Sequence, residues 1–316
     1  MYNKKISFVI PCYYSERTIK GVVEGIIDAF PKSDYNIEIV LVNDGSTDGT
    51  YDVIMECAKE YDVVVGANLM RNFGQDSALM AGYNMATGDI IVSLDDDQQN
   101  PPEEAHKLIR KLENDGCDVV FGKYTHMKQS AFKNWGSNLN DKMAEKLVDK
   151  PKNIRLCSYF VMTSKIKDEI IKYDGPYPYV WGLILRTTRR MENEIIEHRS
   201  REIGTTTYTL KKLVGSWMNG FTAFSIVPLR IASIVGVGMS FIGLVAVILI
   251  VIQTLIQGVD VEGWASTICI VIILAGVQLT TIGLLGEYIG RMYLYANKSP
   301  LFVVRETTID NNEKAE

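Results

Sequence analysis

The stretch IIVSLDDDQQNPP at residues 90–102 joins a short apolar run to three consecutive carboxylates and a pair of prolines. A run of this length, rich in β-branched residues and free of charge, is typical of a strand buried on both faces of a sheet. A helix-like segment follows at about 103–114. The stretch therefore predicts a strand, a polar loop and a helix, in that order.

The same order of strand and helix occurs three times upstream. The apolar runs lie at 6–10, 37–42 and 63–65, the helix-like segments at about 17–30, 50–60 and 75–86, and a fifth run lies at 119–121. This alternation predicts an α/β fold with a mostly parallel sheet covered by helices on both faces. Ligands bind such sheets beyond the carboxyl ends of the strands, so the polar residues there are the candidate site residues.

The composition limits the function classes. The 316 residues carry 33 Lys+Arg and 38 Asp+Glu, a formal charge of −5, and 47% of them are hydrophobic. These values exclude a disordered chain, and the acidic balance argues against a nucleic-acid partner, which favours a basic face. The five cysteines are widely spaced and form no zinc-ligand pattern with the histidines, so we expect reduced thiols. No signal peptide is evident, so residues 1–200 are expected in the cytoplasm.

Two long runs near the C-terminus, residues 231–257 and 263–286, contain no charged side chain. As helices they would be about 40 and 36 Å long, and either can cross a hydrocarbon layer about 30 Å thick. An acidic loop, 258–263, lies between them, and the basic residues outside the pair are Lys211, Lys212, Arg230, Arg291, Lys298 and Arg305. The positive-inside rule predicts a transmembrane hairpin with both termini in the cytoplasm. Two buried core helices are the alternative.

The segments beside the hairpin mix basic and large apolar residues. Residues 210–224, LKKLVGSWMNGFTAF, predict an amphipathic helix in the headgroup region, with a core helix of the soluble domain as the alternative. A second interfacial segment is predicted at 288–295. The predicted parts are a soluble domain at 1–209, a juxtamembrane amphipathic helix at 210–229, the hairpin at 230–290 and a cytoplasmic tail at 291–316.

The three carboxylates at 95–97 are the most informative candidates. Without partners they would repel one another and raise one another's pKa, and a divalent cation would remove that cost. Asp95 and Asp97 are two residues apart, so in an extended segment they point the same way and Asp96 points elsewhere. Such a pair of oxygen ligands suits Mg²⁺ or Mn²⁺. An acidic N-cap cluster for the helix after the prolines is the alternative.

Two more strand-end loops carry candidate binding residues. In NDGSTDGT at 43–50, Asp44 closes an apolar strand and is predicted to accept hydrogen bonds from a nucleobase or a ribose. In RNFGQ at 71–75, Arg71 stands just before a helix start, where a guanidinium can meet a diphosphate. A plain strand–turn–helix connection and a surface salt bridge are the respective alternatives.

Five sequence motifs are spaced along the chain. They are IPCYYSE at 10–16, NDGSTDGT at 43–50, RNFGQDSALMAG at 71–82, TGDIIVSLDDDQQNPPE at 87–103 and LLGEYIGRMY at 284–293. As a set they resemble glycosyltransferase family 2, whose inverting members have the GT-A, Rossmann-like fold. With the two predicted spans, the chain is similar to the polyprenyl-phosphate glycosyltransferases, which include dolichyl-phosphate mannose synthases and bacterial undecaprenyl-phosphate sugar transferases. The resemblance extends from Ser7 to about Val304.

The resemblance implies roles for individual residues. The donor nucleotide would be bound by Pro11, Tyr13, Glu16, Asp44, Arg71, Asp95 and Asp96. The metal, Mg²⁺ or Mn²⁺, would be held by Asp95, Asp97 and Gln99. Asp97, Lys133 and Arg201 would act in catalysis, and Arg201, Gly204 and Lys211 would bind the acceptor phosphate.

Four positions depart from the family pattern. Asn43 stands where many members have a first Asp, and Tyr124 stands at a basic position of the family, next to Lys123. Thr207 stands where the family usually has Lys, and Leu156 stands where it has an acidic residue. A sugar hydroxyl needs a general base, whereas a phosphomonoester, with a second pKa of about 6, is mostly a dianion near pH 7. The missing acid is therefore compatible with a lipid phosphate as the acceptor.

The implied function is inverting transfer of a sugar from a nucleotide-sugar, most commonly a UDP-sugar, to undecaprenyl phosphate at the cytoplasmic membrane face. The alternatives are a family 2 transferase with a glycolipid or protein acceptor, and a membrane scaffold that keeps the fold without catalysis. A processive polysaccharide synthase is disfavoured, because the chain has no Q-x-x-R-W motif and two predicted spans. Small residues along the first span would allow a homo-oligomer.

Overall fold

The computed structural model describes residues 2–124, 150–199, 227–257 and 263–309. These residues build one sheet with helices packed on it. The strands are β1 Lys5–Cys12, β2 Asn36–Asn43, β3 Val64–Leu69, β4 Ile90–Ser93, β5 Val119–Tyr124, β6 Phe160–Thr163, β7 Met191–Ile196 and β8 Val304–Thr307. The helices are α1 Ile19–Ala29, α2 Thr50–Glu60, α3 Gln75–Met85, α4 Ala105–Asn114 after a 3₁₀ turn at Pro102–Glu104, α5 Ser164–Ile170, α6 Val180–Thr187, α7 Val227–Gln257 and α8 Trp264–Ala296.

The strand order across the sheet is β7-β5-β6-β4-β1-β2-β3-β8. β1 pairs in parallel with β2 and β4, β2 with β3, and β5 with β7. β6 runs antiparallel between β4 and β5, and β8 runs antiparallel along β3. The predicted α/β fold with a mostly parallel sheet is confirmed, and the five predicted strands and four predicted helices all form within a few residues of their expected bounds. The three remaining strands were not predicted.

Burial explains why these runs form strands. All of β1 beyond Lys5 and all of β2 beyond Asn36 is buried. Phe8 packs edge-on against Phe30, with the ring centroids 5.0 Å apart, and burial of one such side chain contributes about 1.5–3 kcal/mol. Helix α3 lies directly on these strands because it presents Gly82 to them. A Cβ at that position would lie 2.4 Å from Cγ1 of Val9.

The C-terminal part contains two long helices, α7 and α8, which contact each other. They cover nearly all of the two predicted spans, and α8 continues past 286 through the predicted interfacial segment at 288–295. In the described part of the chain, Ile273–Ala296 is long and apolar enough to cross a membrane by length and composition, and Ala232–Val245 is a shorter apolar segment. Of the predicted juxtamembrane helix, residues 210–226 lie outside the described ranges.

The last turns of α8 and the strand after it reach the α/β part of the molecule. The Arg291 guanidinium lies 5.5 Å from the centroid of the Tyr177 ring. Beyond α8, a seven-residue segment at 297–303 leads into β8, which extends the sheet next to β3. The segment predicted as a tail thus contributes an edge strand to the sheet.

Candidate active site

The loops that follow the first four strands come together at one edge of the sheet. Cys12 is in register with Asn43, and Asn43 with Asn68, so β1, β2 and β3 end side by side. β4 ends at Ser93 beside β1, and the carboxylates at 95–97 follow at once. This is the edge at which parallel sheets bind ligands, and it carries every donor and metal candidate that lies within the described residues.

The loop after β4 is fixed by hydrogen bonds that point its carboxylates in different directions. Asp96 turns toward the loop after β1, where it accepts hydrogen bonds from the Tyr13 backbone N–H, at 3.0 Å, and from the Ser15 hydroxyl. Asp95 turns the other way and is held by three side-chain donors. They are Gln75 at 3.0 Å, Asn100 at 3.2 Å and Ser158 at 2.5 Å. The expectation that Asp96 points away from its neighbours agrees with this geometry.

Burial and mutual repulsion raise the pKa values of the carboxylates in this loop. Burial raises the pKa of Asp95 to about 6, with the charges of Asp97 and Asp96 adding to the shift and the Ser158 hydrogen bond opposing it. Burial likewise raises the pKa of Asp96. The ionised cluster is therefore held at a cost in free energy, which a bound cation would offset.

The donor set fits a divalent cation that is shared with a substrate. Mg²⁺ and Mn²⁺ are commonly held by one or two carboxylates, with waters and substrate phosphates filling the other positions. Asp95 and Asp97 can supply two carboxylates, and Asp97 accepts a hydrogen bond from the Gln99 backbone N–H at 3.2 Å. The described residues contain no group of three or more His, Cys, Asp or Glu side chains that could hold a metal alone. Gln99 as a third ligand stays a prediction.

Asp44 ties two of the site loops together. Its carboxylate is buried and accepts the backbone N–H groups of Phe73, at 2.7 Å, and Gly74, at 2.9 Å. Burial raises its pKa, and these two hydrogen bonds and the charge of Arg71 oppose the rise. Gly45 makes the contact between the loops possible. Its φ is +64°, and a Cβ there would lie 2.3 Å from the backbone carbon of Arg71.

Arg71 itself is exposed beside the Asp44 loop. Its guanidinium lies 4.1 Å from the centroid of the Phe73 ring and donates to the carbonyl of Asn72 at 3.2 Å. Helix α3 begins four residues later, at Gln75. The guanidinium thus precedes the N-terminus of α3, an end that favours anions, and its contact with a diphosphate stays a prediction.

The loop after β1 packs against the loop after β2. Pro11 lies in β1 next to Val42, and a proline is tolerated in this inner strand because β4 has already ended on its other side. Tyr13 and Tyr14 are both about half exposed, and their rings meet edge to face at 4.6 Å. Glu16 accepts the Gly49 backbone N–H at 3.3 Å. The loops that carry these predicted donor residues are therefore in contact, with Tyr13 and Glu16 exposed and Pro11 and Asp44 buried.

Four predicted site residues cannot be placed at this edge of the sheet. Lys133, Arg201, Gly204 and Lys211 lie outside the described residues, and their assignment to catalysis and acceptor binding stays a prediction. Leu156 is described, and it is partly buried against the hydrophobic core. The structure thus gives an apolar packing role to the residue that stands at the family's acidic position.

Other residues at this edge were missed by the sequence motifs. Ser158 lies just before β6 and donates to Asp95. Asn100 also donates to Asp95, and it accepts a hydrogen bond from the Tyr124 hydroxyl at 2.7 Å. The Tyr124 ring lies 4.3 Å from that of His198, whose pKa is lowered by burial, with the charge of Asp97 opposing the shift. Ser158 and His198 are distant in sequence from the carboxylates, so no local spacing indicates them.

Two family profiles match the chain. Glycosyl transferase family 2 matches residues 7–170, and the GtrB C-terminal hairpin matches residues 227–292. Among curated relatives, the undecaprenyl-phosphate 4-deoxy-4-formamido-L-arabinose transferase of Aeromonas hydrophila is 32% identical, and the alignment covers 99% of this chain and 98% of the relative. The enzyme of the same name from Photorhabdus laumondii is 30% identical, with coverages of 98% and 95%.

Solved structures with a similar fold include glucosyl-3-phosphoglycerate synthase from Mycobacterium tuberculosis. Its complex with Mn²⁺ and uridine-diphosphate-glucose has a TM-score of 0.52 and 18% identity, covering 70% of this chain and 77% of that one. Its complex with Mg²⁺ and uridine-diphosphate has a TM-score of 0.52 and 17% identity, with coverages of 68% and 76%. At these identities the likeness shows the fold alone, and that fold is the one expected from the five motifs.

Proposed function

Since the chain belongs to glycosyltransferase family 2, we propose that it transfers a sugar from a nucleotide-sugar to undecaprenyl phosphate and inverts the anomeric centre. One observation carries the proposal. The carboxylates Asp95 and Asp97 follow β4 directly, at the edge where the loops after β1, β2 and β3 converge. The names of the full-length relatives support the acceptor, and the GtrB-type hairpin on the same chain supports a lipid substrate.

The donor would lie along the surface from Tyr13 to Asp97. In this proposal Tyr13 and Asp44 would contact the nucleoside and Arg71 would meet the diphosphate. The half-exposed Tyr13 ring and the exposed Arg71 guanidinium beside Phe73 support these roles. Two carboxylates beside a diphosphate repel it unless a cation intervenes. A Mg²⁺ or Mn²⁺ ion held by Asp95 and Asp97 would neutralise the charge of the departing diphosphate. Complexes of fold neighbours with these ions and with uridine-diphosphate support that assignment and a UDP-sugar donor.

The reaction itself is a single displacement. A phosphate oxygen of the lipid forms a bond to the anomeric carbon, and the bond from that carbon to the diphosphate oxygen breaks, so the nucleoside diphosphate leaves with the electron pair. Attack from the face opposite the leaving group inverts the centre. No proton has to be removed, because the acceptor phosphate is already ionised near pH 7. The apolar setting of Leu156 supports a reaction without a dedicated base at that position.

The location of the reaction follows from the two parts of the chain. The hairpin helices would anchor the enzyme, and the site would face the cytoplasm, where nucleotide-sugars are made. The basic residues that flank the hairpin support this orientation. Lys133, Arg201 and Lys211 would bring the lipid phosphate to the donor, since two anionic substrates need cations to meet.

A donor screen tests the proposal. The full-length protein, purified in detergent, is incubated with undecaprenyl phosphate, Mn²⁺ or Mg²⁺ and a panel of nucleotide-sugars, and the lipid products are analysed by mass spectrometry. We expect one class of nucleotide-sugar to yield undecaprenyl phosphate that carries a single sugar, with its anomeric configuration opposite to that of the donor.

Matched reactions identify the acceptor. Undecaprenol, which lacks the phosphate, should give no product, and a glycolipid or peptide hydroxyl should give none either. Transfer to a hydroxyl acceptor in preference to undecaprenyl phosphate would overturn the proposed acceptor. Absence of transfer and of donor hydrolysis across the panel would favour the non-catalytic scaffold.

A further inference from the structure

The strand β8 places residues from beyond the hairpin directly behind the candidate donor site. It follows α8 after the short segment 297–303 and pairs antiparallel with β3, Asn68 facing Glu306. Leu301 and Phe302 of the connecting segment are packed against the hydrophobic core. The strand is therefore an integral part of the sheet, although about 235 residues separate it from β3 in the chain.

A chain of side-chain hydrogen bonds leads from this strand to the loop after β2. The Glu306 carboxylate accepts from the Asn68 amide at 3.1 Å, and the Asn68 carbonyl accepts from the Asn43 amide at 2.9 Å. The Asn43 carbonyl then accepts the backbone N–H of Ser46 at 3.2 Å. Ser46 in turn accepts the Tyr14 backbone N–H through its hydroxyl at 3.0 Å. The relay thus reaches both loops that carry the predicted nucleoside contacts.

The donor-to-acceptor direction of the hydrogen bonds in this relay is set by Glu306, at its start. An ionised carboxylate can only accept hydrogen bonds, whereas an asparagine amide both donates and accepts. Glu306 therefore turns the NH₂ group of Asn68 toward itself, which turns the oxygen of Asn68 toward Asn43. Asn43 is buried, with 1% of its surface exposed, so a reversed amide there would leave polar groups unpaired at a cost in free energy.

The same strand also holds the loop after β3. The Met70 backbone N–H donates to the Val303 carbonyl at 2.9 Å, and the Arg305 guanidinium donates to the Met70 carbonyl at 3.3 Å. Met70 directly precedes Arg71, and the loop it begins donates two backbone N–H groups to Asp44. The loops after β2 and β3 are thus joined to each other by Asp44 and are both supported from behind by β8.

We propose that Glu306 is a positioning residue for the nucleotide-sugar site and that β8 makes donor binding depend on the chain beyond the hairpin. The inference rests on the proposed function for the identity of the ligand. Glu306 acts through Asn68 and Asn43, and it touches neither substrate. Its loss should loosen the loops at 43–49 and 70–74, which weakens donor binding, while the transfer step from a bound donor is preserved.

Binding of UDP with Mn²⁺ to the full-length protein provides the first test. Glu306→Leu removes the acceptor, Glu306→Gln keeps an oxygen that can accept from Asn68, and Glu24→Leu removes an exposed carboxylate of α1 as a control. We expect the Kd for UDP to rise about 3- to 10-fold in Glu306→Leu and to stay within about 2-fold of wild type in the other two variants. In turnover, Glu306→Leu should raise the KM for the donor, with kcat and the acceptor KM little changed.

Unchanged UDP affinity in Glu306→Leu would overturn the inference, as would a fall in kcat with no change in the donor KM. Hydrogen exchange distinguishes failure of the Glu306 inference from failure of the proposed function. If the wild-type protein binds no UDP, the donor class is wrong, and the relay is then judged from amide exchange alone. Peptides covering 43–49 and 70–74 should exchange faster in Glu306→Leu than in Glu306→Gln, and equal exchange in the two variants would reject the relay.

Discussion

The two kinds of strand in this sheet, β1–β4 on one hand and β6 and β8 on the other, are specified in different ways. Each of the first four is a local apolar run followed by its own polar loop and then by a helix. β6 is instead inserted antiparallel between β4 and β5, and β8 arrives at the edge of β3 from beyond the hairpin. The first group bears the predicted donor and metal residues, and the second brings Ser158 and Glu306 to their ends, where they hydrogen-bond to Asp95 and Asn68.

The largest effect should follow from a change in the first group. Asp97→Asn removes an anionic oxygen from the predicted metal pair, so we expect transfer to fall by about 100-fold or more with the fold intact. Asp62→Asn is the matched control, because Asp62 is a highly exposed carboxylate in a surface pair with Lys32. Initial rates at saturating Mn²⁺, with circular dichroism as the check on folding, measure the effect. Wild-type turnover in Asp97→Asn would remove Asp97 from the site.

The difference between the two groups also explains what could be predicted from the sequence. Asp44, Asp95 and Asp97 could be identified from the sequence because each closely follows an apolar run. The parallel order of the strands then brings the ends of these runs side by side. Ser158 lies just before β6 and Glu306 lies in β8, and the partners of both strands are far away in the chain. Pairing of this kind is decided by tertiary packing, which leaves no periodic signal in the sequence. The hairpin was predictable because absence of charge over more than twenty residues is itself a local signal.

A second prediction concerns the contact between the loops after β2 and β3. Gly45→Ala places a Cβ against the backbone of Arg71 at a residue with φ of +64°, so both strain and overlap destabilise the fold. We expect a loss of about 2–3 kcal/mol in the free energy of unfolding, together with weaker UDP binding. Gly116→Ala is the control, because its φ is +57° and the nearest atom, of the Arg190 side chain, is 3.5 Å away.

Comparing the two glycine variants separates the cost of backbone strain from the cost of overlap with the Arg71 backbone. Gly116→Ala should lose about 1 kcal/mol, from backbone strain alone. Thermal or denaturant unfolding gives both values, and UDP titration gives the affinity. If Gly45→Ala and Gly116→Ala lose the same stability and bind UDP equally, the loops after β2 and β3 do not meet at Gly45 as described.

A third prediction uses the pH dependence of metal-supported UDP binding. The pKa of Asp95 is raised to about 6, so the carboxylate is ionised and free to bind a cation above this pH and is protonated below it. We expect the affinity for Mn²⁺ and UDP to fall by up to about 10-fold per pH unit below pH 6. Ser158→Ala should move this fall to higher pH, because it removes a hydrogen bond that favours the ionised form.

The pH profile tests whether Ser158, beside β6, lowers the pKa of Asp95, which follows β4. Ser33→Ala, in an exposed turn before β2, is the control and should leave the profile in place. Binding is measured by titration between pH 5 and 8 without acceptor. The terminal phosphate of UDP also ionises near pH 6, but it contributes equally in every variant, so the comparison between variants reports on Asp95. A profile that is identical in wild type and Ser158→Ala would show that Ser158 does not act on Asp95.

The smallest effect is expected at the contact between helices α3 and α6. Asp76, in the first turn of α3, accepts the Val180 backbone N–H at the start of α6, at 3.2 Å. Burial raises the pKa of Asp76 to about 6, and this hydrogen bond opposes the shift. Because the folded pKa lies above that of an unfolded aspartate, about 3.9, the protonated carboxyl stabilises the fold at low pH, and this stabilisation is lost as the pH rises through 6.

Asp76→Asn should therefore stabilise the protein at alkaline pH, since the amide keeps an oxygen for the Val180 N–H and carries no charge. We expect its advantage over wild type to grow by about 1 kcal/mol between pH 5 and pH 8, which is a rise of about 2–4 °C in Tm. Asp52→Asn, an exposed carboxylate in the first turn of α2, should show no such growth. If the Tm difference between Asp76→Asn and wild type is the same at both pH values, Asp76 is not held at a raised pKa. The junction between α3 and α6 would then tolerate the ionised carboxylate without cost, and the hydrogen bond to Val180, a charge-assisted contact at a helix N-terminus, would outweigh its burial.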